Sequence, residues 1–208
     1  MTLMRKLIAV VLLLCAVQAQ AGAMAGRDYQ VLSTPQPTSS GSKVEVLEFF
    51  FYGCSHCFHL HGPFSSWEKT MPKDVDLQYV PVIFRDSWEP MARTFYALEA
   101  LGMLEKLHDD LFQAWNVFGT DLSDQAKISD FVAKRGVDRA KFDAAYNSFT
   151  LAGKVARSNQ LVRSYGIRGT PTIAVDGKYI ITGLEPADTI RVLNEVIKIA
   201  RKERSKQR

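Results

Sequence analysis

Cysteine is nearly absent from this chain of 208 residues: only Cys15, Cys54 and Cys57 occur. That scarcity leaves no framework of long-range pairs for a disulfide-stapled scaffold. It also leaves no second Cys-x-x-Cys pair for a four-cysteine zinc site. Charge of one sign is lacking too. The 26 Lys and Arg stand against 22 Asp and Glu, a bias too weak to imply nucleic acid as a partner. The basic tail, 201–208, reads as a solvated helix end rather than a docking patch. The apolar run Leu7 to Val17 falls short of the about 20 residues that a permanent membrane-spanning helix needs. No repeat of fixed length is visible. Apolar residues, in contrast, make up 47% of the chain, enough for one large core, in a single domain or a domain carrying an insertion.

The short apolar run has the look of an export signal. Arg5 and Lys6 precede it, and small residues follow in three overlapping A-x-A frames, Ala19/Ala21, Ala21/Ala23 and Ala23/Ala25. Cleavage is expected after Ala21. Leu14, a large residue before Cys15, argues against lipidation. Cleavage removes Cys15 and leaves Cys54 and Cys57. A disulfide between them would close a trivial loop and stabilise little through chain entropy. The pair is therefore expected to serve reactivity.

Beyond the signal, periodicity predicts an α/β protein. Tyr29 to Ser33 is a short strand candidate, and Thr34 to Ser42, rich in Pro, Ser, Thr and Gly, is a loop. Val44 to Phe51 is almost continuously apolar, as suits a central strand buried on both faces. Ser55 to Thr70 has a helical period, with a kink expected at Gly62-Pro63. Leu77 to Phe84 is a third strand, and Pro81 assigns it to an edge or a bulge. Helical stripes follow: Met91, Thr94, Phe95, Leu98 and Leu101, then Leu104, Leu107, Leu111, Trp115 and Phe118. Ser123 can cap a helix ended by Gly136. Asp138 can cap another that includes Phe142, Tyr146 and Phe149, and a further helix runs from about Leu151 to Tyr165. Ile173–Val175 and Tyr179–Thr182 flank Asp176-Gly177, a two-residue hairpin signal. Pro186 opens the last helix. With the helical block removed, a small sheet remains, with Cys-x-x-Cys after its central strand.

The chemistry centres on that point. Cys54 is placed to cap a helix, where free N–H groups and the positive end of the dipole favour thiolate over thiol. Cys57, one turn later, would be the less exposed sulfur. His56 can stabilise a Cys54 thiolate; otherwise it is a solvated loop histidine. Glu48 shares a strand face with Val44, Val46 and Phe50. A buried acid there could carry the proton of Cys57, the alternative being a solvated edge residue. Glu45, on the other face, is expected to be solvated. Thr170-Pro171 precedes the hairpin either as a simple turn or as a cis bond that frees backbone groups for an extended peptide. His59 and His61 raise the possibility of a Cys/His metal site, but a single turn does not bring them together easily.

Taken together, the signal, Val46-Leu47-Glu48-Phe49-Phe50 before Cys54-Ser55-His56-Cys57, the helical insertion and Gly169-Thr170-Pro171 before a hairpin resemble the DsbA family of periplasmic thiol–disulfide oxidases. The resemblance covers about residues 27–200. It implies a thioredoxin fold with an inserted helical domain, and a cis Thr170-Pro171 bond. The domains would be 1–21 signal peptide, 27–86 first thioredoxin-like part, 87–150 helical insertion and 151–203 second thioredoxin-like part. It implies catalytic Cys54, Cys57, His56 and Glu48, substrate binding at Thr170 and Pro171, and no metal or other cofactor. Reduced exported proteins would be the substrates of a periplasmic monomer that is reoxidised by a quinone-linked membrane partner of the DsbB type. Three positions depart from the best-known members: Ser55 replaces proline between the cysteines, His61 stands where an acid occurs, and Thr170 stands where some members have valine. A reductase or isomerase of the same fold, a Cys/His metal carrier, and a relative acting on glutathione conjugates are the alternatives.

Overall fold

The computed structural model describes residues 22–206, so the expected signal, residues 1–21, lies outside it. Five strands are present: β1 Gln30–Val31, β2 Val44–Phe50, β3 Val75–Pro81, β4 Thr172–Val175 and β5 Tyr179–Thr182. Seven described helices accompany them: α1 Ser55–Glu68, α2 Glu89–Ala100, α3 Leu104–Asn116, α4 Gln125–Ala133, α5 Arg139–Tyr146, α6 Phe149–Ser164 and α7 Pro186–Lys206. The strands form one mixed sheet in the order β1-β5-β4-β2-β3.

All seven residues of β2 are buried, as its unbroken apolar run requires. It runs parallel to β3 and antiparallel to β4. β3 is one of the two edge strands and ends at Pro81, where the missing N–H costs least. The β4–β5 hairpin turns through Asp176 and Gly177 at φ of 55° and 69°, the positive pair that a tight turn of this type needs. A side chain at Gly177 would also collide with the Gln36 carbonyl. One core lies between the sheet and helices α1 and α7, and another covers the opposite face near α6. A third fills the helical block and extends to Phe50, Tyr52 and Cys57. Helices α2 to α5 form the insertion between β3 and the return through α6.

Several expectations are corrected by the tertiary contacts. Helix α1, by contrast, runs on through Gly62 and Pro63 without a stop, as its period predicts. Asp124, not Ser123, caps α4, accepting from the Lys127 N–H. Phe118 lies beyond the end of α3 and is 69% exposed, and Phe149 opens α6 at 93% exposed, so neither joins its predicted stripe. Glu45 is buried rather than solvated. The loop 34–42 folds over it, and its carboxylate accepts from Ser39 N–H, Ser39 Oγ and Ser40 Oγ at 2.7, 2.9 and 3.2 Å. The basic tail is not merely solvated. Arg201 pairs with Asp74, and Arg204 grips Asp176 and donates to the Gly41 carbonyl, because α7 ends over those loops. No described helix is long and apolar enough to cross a membrane.

Candidate active site

Strand β2 delivers the site. Its last residues lead through a turn to Cys54, which has an extended backbone, φ −90° and ψ 116°, and is the N-cap of α1. A helix leaves its first N–H groups without internal partners. Here Cys54 Sγ accepts from the Cys57 N–H at 3.4 Å, and the His56 N–H contributes as well. As a thiol, Cys54 donates to the Thr170 carbonyl at 3.3 Å. Both sulfurs are free, so this is the dithiol form.

The two sulfurs are unequal. The Cys57 thiol, hydrogen bonding to Cys54, is the largest influence that lowers the Cys54 pKa, to about 5; burial opposes it, and the Thr170 side chain and the helix-start N–H groups add to the lowering. Cys57 is 0% exposed. Burial, first of all, pushes its thiol well up, and the adjoining Cys54 charge acts in the same direction. One sulfur is thus accessible and ionised near neutral pH, while the other is enclosed and protonated.

The His56 ring is exposed and forms part of a groove of about 240 Å³ that also involves Leu60, Thr170, Pro171, Leu184 and Pro186. Its backbone, rather than its ring, is the part that reaches the sulfur. Replacing His56 by Ser keeps that N–H and removes the ring, so the Cys54 pKa is expected to rise by about one unit or less, since a solvated cation is screened. An unmoved thiolate titration would remove the ring from the chemistry. The Thr170-Pro171 bond is cis, as the resemblance implied and spacing alone left open. Thr172, next in the chain, donates to the Gly169 carbonyl, and Thr182 donates to that of Pro171, which ties this segment to the hairpin.

Glu48 is buried at 4% exposure, opposite Tyr79 of β3 and Ile173 of β4. Burial first, and then the nearby Glu68 charge, raise its pKa to about 8. A carboxyl so placed holds a proton near neutral pH and can release it. Sequence reasoning missed the group beside it. Tyr79 donates to Glu68 at 2.8 Å, and Tyr52 Oη shares a 2.7 Å hydrogen bond with His108 Nδ1. Burial lowers the His108 pKa to about 3, with a smaller push from His61, so the ring is neutral. These residues come from the turn after β2, from β3, α1 and α3, and no spacing along the chain links them. His61 turns toward α3, stacks on Phe112 and lies 3.5 Å from Asp109, whereas His59 is part of the groove. The two histidines therefore do not converge with the sulfurs, and among the described residues no group of three or more His, Cys, Asp or Glu side chains could hold a metal ion.

A Cys-x-x-Cys at the start of the helix after the central strand, opposite a cis-proline, on a thioredoxin-type sheet, defines a thiol:disulfide oxidoreductase. Comparison with known proteins narrows the class. A family profile for the DSBA-like thioredoxin domain matches residues 71–193. The thiol:disulfide interchange protein DsbA of Burkholderia cepacia is 42% identical over 183 residues, covering 85% of this chain and 86% of that protein. Its counterpart from Pseudomonas aeruginosa strain PAO1 is 34% identical over 176 residues, with 83% of each covered. A crystal structure of Pseudomonas aeruginosa DsbA superposes with a TM-score of 0.83 at 32% identity, covering 87% of this chain and 96% of that one. The oxidoreductase NmDsbA1 of N. meningitidis gives 0.81 at 28% identity, covering 89% and 98%. The chain belongs to the DsbA family.

Proposed function

We propose that this chain is a protein disulfide oxidase that donates a Cys54–Cys57 disulfide to newly exported proteins. The observation that carries the reading is the inequality of the two sulfurs. A stabilised thiolate at Cys54 favours the dithiol over the disulfide, and that makes the disulfide a strong oxidant.

The chemistry balances as two exchanges. A substrate thiolate attacks Cys54 Sγ; a mixed disulfide forms, the Cys54–Cys57 bond breaks, and Cys57 leaves and takes a proton. Glu48, protonated near neutral pH and on the strand that leads to the cysteines, supplies that proton and is later reprotonated. A second substrate thiolate then attacks the substrate sulfur of the mixed disulfide. The substrate disulfide forms, and Cys54 departs as a thiolate held by the helix start. Two substrate thiols lose two electrons, which remain on Cys54 and Cys57. Thr170 and Pro171 hold the substrate as an extended segment, with the Thr170 carbonyl accepting from its backbone once Cys54 no longer donates to it. His56 adds positive potential when protonated.

Residues 27–86 and 151–203 act as the thioredoxin-like part, and 87–150 as the helical insertion. The working compartment is the periplasm, reached through cleavage of residues 1–21. The protein acts as a monomer, and a quinone-linked membrane partner of the DsbB type restores the disulfide. The equilibrium with glutathione tests the reading. A potential near the value of about −120 mV that belongs to the well-characterised DsbA is expected. A value near −270 mV, that of thioredoxin, would make the protein a reductant and overturn the assignment.

A further inference from the structure

Tyr52 is held at both of its polar ends by one helix of the insertion. Its hydroxyl shares the 2.7 Å hydrogen bond with His108 in the middle of α3. Its carbonyl accepts from Asn116 Nδ2, at the end of α3, at 2.8 Å. Asn116 donates at the same distance to the Phe112 carbonyl, so its amide is fixed to its own helix. Trp115 of α3 packs so closely on Gly53 that a side chain there would meet the indole at 2.8 Å. Tyr52 and Gly53 are the residues that carry the chain into Cys54, and the Cys54 N–H closes that turn on the Phe51 carbonyl at 3.1 Å.

We infer that α3 is a positioning element for Cys54: through His108 and Asn116 the helical insertion clamps the Tyr52 turn and keeps Sγ at the N-terminus of α1. Neither residue touches the reacting atoms. Their effect is on the redox balance, and its sign follows from what else holds the cysteine in each state. In the disulfide form, the covalent bond to Cys57 keeps Cys54 in place. In the dithiol form, noncovalent contacts alone align the thiolate with the helix N–H groups. A slack turn therefore weakens the dithiol more than the disulfide, and the protein becomes a poorer oxidant.

This inference rests on Cys54 being the acidic, reacting sulfur. The test uses Tyr52→Phe, which removes only the hydroxyl, and Asn116→Ala, which releases the carbonyl. Tyr96→Phe is the control, because Tyr96 of α2 makes a comparable buried hydrogen bond to Ser158 of α6 and has no part in the Tyr52 turn. The thiolate is titrated by its ultraviolet absorbance, and the glutathione equilibrium is measured for each folded protein. For each of the two turn variants, the equilibrium is expected to shift about three- to tenfold toward the disulfide, the scale of one buried hydrogen bond, with a raised Cys54 pKa. The control should shift neither. Unmoved values in both turn variants, or an equal shift in Tyr96→Phe, would overturn the clamp. If the unmutated protein shows no acidic thiol at all, the clamp falls with the premise it rests on, and the oxidase reading is then what has failed.

Discussion

Replacing Cys54 by Ser should abolish disulfide exchange, with a loss of about three orders of magnitude or more, whereas replacing Cys57 by Ser should leave a reactive thiol that becomes trapped. A serine hydroxyl cannot form the mixed disulfide and does not ionise in this range. Cys57 is fully enclosed and its thiol is held protonated, so it does not substitute as the point of attack. In Cys57→Ser, Cys54 keeps its place at the helix start and its Thr170 and His56 neighbours, but it loses the Cys57 thiol hydrogen bond that does most to lower its pKa. It should therefore still be alkylated near neutral pH, at a somewhat higher pKa. Given oxidised glutathione, it should accumulate a mixed disulfide that no second thiol resolves. Mass spectrometry after incubation with oxidised glutathione reads both variants. A stable adduct on the Cys54→Ser protein, or rapid turnover by Cys57→Ser, would reverse the assignment of the two sulfurs.

The second large effect is on pH dependence. The Cys54 pKa is depressed on folding of the dithiol, from 9.0 to about 5. A depressed pKa contributes stability that is complete above the unfolded value, shrinks as the pH falls toward 5, and is lost below it. The disulfide form has no such thiol. The dithiol is therefore expected to be the more stable form at pH 7, by a factor of about 10 to 100 in the folding equilibrium, a range discounted for the half-exposed sulfur. That advantage should close as the pH is lowered through 5. Glu48 acts with the opposite sign. Its pKa is raised from 4.5 to about 8, so its contribution is present below 4.5 and is lost as the pH rises through 8. It is present in both redox forms and should appear as a common slope. Denaturant midpoints of the two forms between pH 4 and 8 separate the two effects. A stability gap that does not change with pH would show that Cys54 is not the ionised sulfur. Glu48→Gln should flatten the common slope while leaving the gap.

The two effects together explain why an accessible acidic sulfur and an enclosed basic one occupy adjacent turns of a single helix. The first is a good leaving group for the substrate exchange. The second needs a proton when the internal disulfide opens, the role proposed above for Glu48. The His61 departure fits the same setting. With burial lowering its pKa and Asp109 opposing that, it lies among aromatic rings on the α3 side, rather than as a fixed positive charge beside the sulfurs.

Much of this was legible in the sequence by itself. A continuous apolar run, a Cys-x-x-Cys opening a helical period, a proline in the third strand and an Asp-Gly hairpin are local patterns. Backbone sterics, the missing proline donor and the free N–H groups of a helix start act over a few residues, so they determine β2, α1, β3 and the β4–β5 turn without help from elsewhere. The same locality placed Glu48 on an inward face. Tertiary structure alone decided what those residues meet. Glu45 is satisfied because a polar loop happens to fold over it. Phe118 and Phe149 carry the hydrophobicity of core residues, but the helices end or begin at them and leave them in solvent. The Thr170 carbonyl reaches Cys54 across 116 positions, and His108 and Asn116 reach Tyr52 across 56 and 64. Such contacts are set by how the sheet and the insertion pack together, a matter of shape and buried polar pairing between distant segments, on which no periodicity along the chain bears.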